Sequence, residues 1–223
     1  MNKIIHQIFL NIGLKPLDER KDYLKNIEIA KKLNPDWKHI LWLDSDVDEL
    51  LKLDYPEILD MWNNFPNKFY KIDFVRYLIL NKYGGIYLDL DEECIKPFDD
   101  KFCNSKTILG KWINLTNNKE TINNNLIGFQ SKEICKKLVD YSISQYEYRQ
   151  KSMPESWKIR KFLHSVGNTM FTRFCKNNKL SSDIDSDEYI KQKKSKDGNI
   201  TWILAFNRKI DYNNIQNKSY KIL

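Results

Sequence analysis

The sequence predicts an α/β fold: a Rossmann-like, mostly parallel sheet flanked by helices, with a more helical C-terminal part. Three observations predict it. Strand-like apolar runs alternate with helix-period runs from residue 4 to residue 91, the pattern of a parallel sheet. A helix-period run is stopped by Tyr83-Gly84-Gly85 and followed at once by an alternating strand. Beyond residue 125, helical periodicity takes over. The 223 residues, 41% hydrophobic and 30% charged, suffice for one sizeable core.

In chain order, Ile4 to Leu10 reads as a buried strand. A helix follows near Asp18 to Leu33, with Tyr23, Ile27, Ala30 and Leu33 at helical spacing, and Asn34-Pro35 stops it. Lys38 to Leu43 reads as the second strand. Helical stretches follow near Val47 to Leu53 and Pro56 to Asn63. From Lys71 to Lys82, Phe74, Val75, Leu78 and Ile79 mark a buried helix face, and Asp73 and Arg76, three apart, lie side by side on it. Gly84 and Gly85 suit a left-handed cap. Ile86 to Asp91 alternates, so Tyr87, Asp89 and Asp91 share one face. The Asn-rich stretch 113–125 reads as a loop at the edge of an acceptor cleft. Helices are expected near Lys132 to Tyr148 and Asn168 to Asn177, and a strand near Ile200 to Phe206.

Two carboxylates one residue apart at a strand end repel each other unless a cation lies between them. Magnesium and manganese take oxygen ligands, bind through one or two carboxylates plus substrate phosphates, and suit the strand-end position. The chain carries two controls with the same spacing. Asp44-Ser45-Asp46 precedes an apolar helical run and reads as a cap and acidic first turn. Asp183-Ile184-Asp185 lies in a polar stretch and reads as a solvated loop. Only Asp89 and Asp91 come with a helix, a double glycine and a strand.

Residues 71–94, KIDFVRYLILNKYGGIYLDLDEEC, resemble the core of the DXD-motif glycosyltransferases of family 32, to which yeast-type initiating α-1,6-mannosyltransferases belong and to which the glucosylating-toxin core is related. Asp73, Arg76, Tyr77, Tyr83, Gly84, Gly85, Ile86, Tyr87, Asp89 and Asp91 fall on the family pattern; Ile72 replaces its usual small residue. KIIHQIFL at the N-terminus and Asn34-Pro35-Asp36-Trp37 leading into Leu41-Trp42 are similar to two further family segments. Ser165-Val166-Gly167-Asn168 is similar to a later turn, with Asn168 in place of a proline. The resemblance implies a GT-A-like fold and a metal-dependent, retaining transfer of a hexose from a UDP- or GDP-sugar to a glycan or other hydroxyl acceptor. It implies Mn²⁺ or Mg²⁺ at Asp91 and Asp89, donor-sugar contacts from Asp73, and sugar or phosphate contacts from Arg76. Phe9 falls where the family stacks a ring on the nucleotide base, and Tyr87 faces the donor side. The alternative is a catalytically degenerate protein that binds a sugar nucleotide or a partner, since no His follows His164 and only Trp202 stands near the family's late aromatic.

A single domain over residues 1–223 is expected, with 1–100 as the nucleotide-sugar and metal half and 101–223 as the acceptor half. Their charges differ. The first half carries 14 Lys+Arg against 19 Asp+Glu, the second 23 against 11. The basic half is a solvated surface or faces an anionic acceptor glycan or an acidic membrane surface. Nucleic acid is not expected, because no binding motif accompanies the charge. Cys94, Cys103, Cys135 and Cys175 form no paired motif and read as free thiols. His6, inside an apolar strand, reads as a core residue. A dinucleotide fingerprint is missing, with only Gly13 after the first strand. With no apolar run long enough to span a bilayer and no signal-peptide pattern, the chain is expected to be cytoplasmic.

Overall fold

The computed structural model describes residues 1–11, 15–114 and 119–192. The expected strand near residues 200–206, Trp202 and Gly13 lie outside the described residues. In chain order come β1 (Ile4–Ile8), α1 (Lys21–Leu33), β2 (Lys38–Trp42), α2 (Asp44–Asp54), α3 (Leu59–Asn63) and α4 (Lys68–Tyr83). Then follow β3 (Ile86–Leu88), β4 (Glu92–Cys94), α5 (Asp100–Asn104), β5 (Thr107–Asn114) and β6 (Lys119–Phe129). The chain continues through α6 (Lys132–Ser152), α7 (Lys158–Ser165), α8 (Asn168–Asn177) and β7 (Ile190–Gln192).

The main sheet has the order β2-β1-β3-β6-β5. β1 pairs in parallel with both β2 and β3, while β6 runs antiparallel to β3 and to β5. Four of the five strands therefore point one way and β6 alone is reversed. Period-two alternation assigns the two faces. Ile5, Ile86, Leu88, Ile108 and Leu126 pack with Ala30, Trp37, Phe98 and Phe102 on one side. Tyr87, Leu109, Ile127 and Phe129 pack against α4, α6, α7 and α8 on the other. The sheet is thus covered on both faces, as a largely parallel sheet requires.

α4 is the organising helix. Tyr70, Phe74, Val75, Arg76, Tyr77, Leu78, Ile79 and Leu80 are all buried, so it is enclosed nearly all round rather than on one stripe. The Asn67 side chain caps its start by accepting from the Phe69 N–H at 3.0 Å. At its end, Asn2 Nδ2 donates to the Tyr83 carbonyl and Gly84 takes φ +66°. His6 locks this corner. Trp42 Nε1 donates to His6 Nδ1 at 3.1 Å, so the ring N–H is at Nε2 and donates to the Gly84 carbonyl at 3.0 Å. Burial, partly offset by the Gly84 bond, lowers the His6 pKa to about 4 and keeps the ring neutral.

Gly85 follows at φ +77°, and a Cβ there would lie 2.5 Å from the Ile4 carbonyl oxygen. Backbone cannot step aside as a side chain can. Gly85→Ala is expected to cost about 2–4 kcal/mol, combining a left-handed alanine with overpacking. Thermal unfolding checks this, and an unchanged midpoint would refute the close approach of β1 to β3.

Two sequence expectations need correction, and a third is borne out only in part. The strand after Gly85 ends at Leu88 rather than Asp91. Asn26 Nδ2 donates to the Leu90 carbonyl and Glu92 N–H bonds to the Asp89 carbonyl, drawing the chain off the sheet into a turn. The Asn-rich stretch 113–125 is no loop through most of its length, because β5 and β6 form a hairpin. Tertiary bonds override propensity there: Asn124 and Asn125 are buried and hydrogen-bonded. The 183–187 cluster keeps its acids exposed, as a solvated loop would, but is fastened to β5 rather than free. Asp183 accepts the N–H groups of Lys106 and Thr107, Asp185 pairs with Lys111 at 3.2 Å, and Ile184 is buried. All four cysteines are free thiols, and none of the described helices is long and apolar enough to cross a membrane.

Candidate active site

The site lies where β3 leaves the sheet, between α4 and β6. Arg76, only 3% exposed, is its hub. Nη2 bonds the Asp73 carboxylate, and Nη1 reaches Asp89 Oδ1 at 3.2 Å and the Asn124 carbonyl at 2.7 Å. Its guanidinium carbon lies 4.4 Å from the Tyr87 ring centroid, a cation–π distance. With Nε donating to the Ile72 carbonyl at 3.3 Å, the planar fork allows one cation to hold four acceptors and a ring. Tyr87 is buried, and its hydroxyl donates to the same Asp89 oxygen that Arg76 holds. Asp89 is therefore fixed by two donors from below, and its backbone N–H bonds to the Asn125 carbonyl at 2.8 Å.

Asp91 differs. It sits two residues on in the turn, is exposed, and among the described residues has no side-chain donor engaging it. Burial of its surroundings and the Asp89 charge push its pKa up to about 6. Asp73 is likewise raised to about 6 by burial, against the pull of Arg76. Asp89 is raised by burial and lowered by Arg76, with the first prevailing. Burial works against the Arg76 charge, yet Asp73, Tyr87 and Asp89 raise its pKa further, so it stays cationic. Three carboxylates facing one guanidinium leave an excess of negative charge at Asp89 and Asp91.

That excess is what a hard divalent cation satisfies. Among the described residues no group of three or more His, Cys, Asp or Glu converges to form a complete metal cage. The donor set instead fits a cation held by one or two carboxylates with the remaining positions left for phosphate and water. Asp91, exposed and without a side-chain partner among the described residues, is a carboxylate that could take such a cation.

Several neighbours had no sequence signal, or a weak one. Tyr77 donates to the Val166 carbonyl at 2.9 Å and accepts from Asn124 Nδ2, bringing the turn before α8 to α4. A Cβ on Gly167 would lie 3.3 Å from Asp73 Oδ2, so the Ser165–Asn168 turn borders the site. Arg20 stacks on Tyr23 with 3.5 Å to the ring centroid; the Arg20 charge pulls the Asp91 pKa down, and the Asp91 charge helps raise that of Tyr23. Phe9, half-buried, meets Tyr23 edge-on at 6.4 Å. A ring at residue 23 beside one at residue 9 is invisible until α1 docks. Glu92 is 1% exposed beneath the turn, accepting from Asn125 Nδ2 at 2.7 Å.

Residues 20–111 match the family model described as "glycosyltransferase sugar-binding region containing DXD motif". The chain is 37% identical over 97 residues to mannosyl phosphorylinositol ceramide synthase SUR1 of Saccharomyces cerevisiae, covering 44% of this chain and 24% of that protein. It is 36% identical over 103 residues to the initiation-specific alpha-1,6-mannosyltransferase of Candida albicans, covering 45% and 27%. The chain thus matches about a quarter of the length of these curated relatives. The solved structure titled PaToxG Glycosyltransferase superposes with a TM-score of 0.52 at 19% identity, covering 79% of this chain and 69% of that one, which bears on the fold alone. These relatives overturn the expectation of a cytoplasmic location. One is named for a ceramide product, a membrane lipid, and a matching stretch without a spanning helix does not place the protein in the cytoplasm. Over residues 20–111, then, the chain is similar to the sugar-binding region of the DXD-motif glycosyltransferases.

Proposed function

We propose that this protein transfers a hexose, mannose first among candidates, from a nucleotide-diphospho-sugar to a hydroxyl on a glycan or glycolipid. The observation that carries this is the placement of Asp89 and Asp91 in a turn after β3, with Arg76 bridging Asp89 to Asp73. The mannosyltransferase names of the relatives support the choice of sugar, and the ceramide names support a lipid-linked acceptor. Mn²⁺ or Mg²⁺ at Asp91 and Asp89 would neutralise charge on the departing diphosphate. Asp73 accepts donor-sugar hydroxyls. Arg76 fixes Asp73 and Asp89 and presents positive charge toward sugar or phosphate. Tyr87 positions Asp89 from the strand, and Phe9, beside Tyr23, faces the nucleotide base. The single-domain reading is supported by Asn124 and Gly167, which bring the second half of the chain to residues of the first. Transfer with retention of anomeric configuration follows the family resemblance and is read from the anomer of the product.

The test is turnover and binding of UDP-glucose, UDP-galactose, UDP-GlcNAc and GDP-mannose, with Mn²⁺ and with EDTA, on wild type and Asp91→Ala. We expect metal-dependent turnover of one donor, reduced by about 10²-fold or more in the variant, the scale of losing one electrostatic stabiliser. Binding without turnover across a panel of acceptors would favour the degenerate alternative. No metal-dependent interaction with any donor would sink the assignment of Asp89 and Asp91.

A further inference from the structure

On the surface built from the end of α6, the turn at Glu155–Trp157 and α7, two guanidiniums, Arg149 and Arg160, line one groove, and a third, Arg173 of α8, reaches its His164. Burial and then the charges of Arg173, Arg149 and Arg160 press the His164 pKa down. His164 Nδ1 accepts from Arg173 Nη2 at 3.2 Å, which is consistent with a neutral ring. Arg149, Arg160 and His164 line an open groove of about 490 Å³ with Tyr148 and Trp157 at its rim. Trp157 is 48% exposed and Tyr148 55% exposed, two of the few large apolar side chains left in water. Each carries a guanidinium near its ring face, Arg160 at 4.9 Å and Arg149 at 4.8 Å. Between residues 148 and 173 the sequence holds six Lys or Arg against a single acid, Glu155, and Lys161 pairs with that acid. Arg149 Nε is buried with no partner.

We propose that this face docks on an anionic phospholipid bilayer, with Trp157 and Tyr148 in the headgroup layer and Arg149, Arg160 and Arg173 on lipid phosphates. Exposed indole and phenol rings favour the boundary between water and acyl chains, and guanidinium stems snorkel from it. The location matters for function. The C-terminal end of α7 runs directly into Val166 and Gly167, which touch Tyr77 and Asp73. Docking here would hold the candidate active site beside a membrane surface.

Vesicle co-sedimentation of the full chain tests this. Phosphatidylcholine vesicles are compared with vesicles containing about 30% phosphatidylserine, at ionic strengths of about 0.1 M and 1 M. We expect binding to the anionic vesicles only, lost at high salt. Arg149→Glu with Arg160→Glu should weaken it by at least about ten-fold, since each basic residue near the surface contributes roughly five-fold. Trp157→Ala should weaken it while leaving the salt dependence in place. Circular dichroism and an unchanged melting temperature verify that these substitutions leave the fold intact. Equal binding to neutral vesicles, or full binding by the double variant, would overturn the proposal. Asp91→Ala should bind vesicles as wild type does, so failure of the transferase reading and failure of this one are separable.

Discussion

Arg76→Ala is expected to destabilise the fold by about 3–5 kcal/mol, the scale of removing one partner from a buried ion pair. A surface pair would cost under about 1 kcal/mol, and the difference lies in exposure: 3% for the Arg76 side chain against 15% for Asp73 and 27% for Asp89. Removing the guanidinium leaves two carboxylates, the Asn124 carbonyl and the Tyr87 ring without their common partner. The pH dependence distinguishes this from simple loss of packing. In the variant, Asp73 and Asp89 lose the charge that lowers their pKa values and take up protons at higher pH than in wild type, so the gap should shrink as pH falls toward about 6, where wild-type Asp73 protonates as well. Arg76→Lys retains one charge but cannot span the acceptors, and should recover only part of the loss. Urea unfolding near pH 8 and near pH 5 reads both effects. A gap of the same size at both values would mean that packing, not charge, carries the role of Arg76.

The parts of this site that were legible in sequence are those carried by short-range geometry. Asp73 and Arg76 are one helical turn apart, so their pairing follows from the helix alone. Gly84 and Gly85 announce positive φ, and Asp89 with Asp91 announces a paired carboxylate near a strand end. What was hidden depends on long-range docking. Nothing local to α1 says that Arg20 and Tyr23 will face Asp91, some seventy positions on. The asparagines of β6 mislead in the same way. Their propensity reads as loop, but Asn124 and Asn125 become strand residues because their side chains reach Tyr77 and Glu92. The 183–187 strap inverts the lesson. Its acids stay exposed as the sequence suggests, yet Asp183 accepts the backbone N–H groups of Lys106 and Thr107 and ties the loop down. The strand before Asp89 was predicted three residues too long for a similar reason, since alternation continues in sequence after Asn26 has drawn Leu90 out of the ladder.

Glu92 yields the second large effect. It is 1% exposed, its Oε1 accepts from Asn125, and Oε2 is buried with no partner. Burial, reinforced by the Asp91 charge, pushes its pKa from 4.5 up to about 8. Between those values the folded chain holds a proton that the unfolded chain has released, so stability falls as pH rises through the window and levels off above about 8. The full window corresponds to several kcal/mol, about 3–5, at 1.36 kcal/mol per pKa unit. Asp73 and Asp91 contribute slopes of the same sign, but theirs end near pH 6. The interval from about pH 6.5 to pH 8 therefore isolates Glu92, because the cysteines, all raised from 9.0 by burial, add slopes of the same sign only above it. Glu92→Gln keeps the acceptor that Asn125 needs and removes the ionisation. In EDTA, wild type should lose stability across that interval while the glutamine variant stays nearly level, and the variant should be the more stable protein at pH 9 by about 2–4 kcal/mol. Identical slopes for the two proteins would show that Glu92 meets solvent and titrates normally. A divalent cation at Asp89 and Asp91 favours the ionised form of Glu92, lowering its folded pKa and flattening the wild-type slope. The same unfolding experiment repeated with Mn²⁺ thus reads metal occupancy through stability, without any assay of transfer.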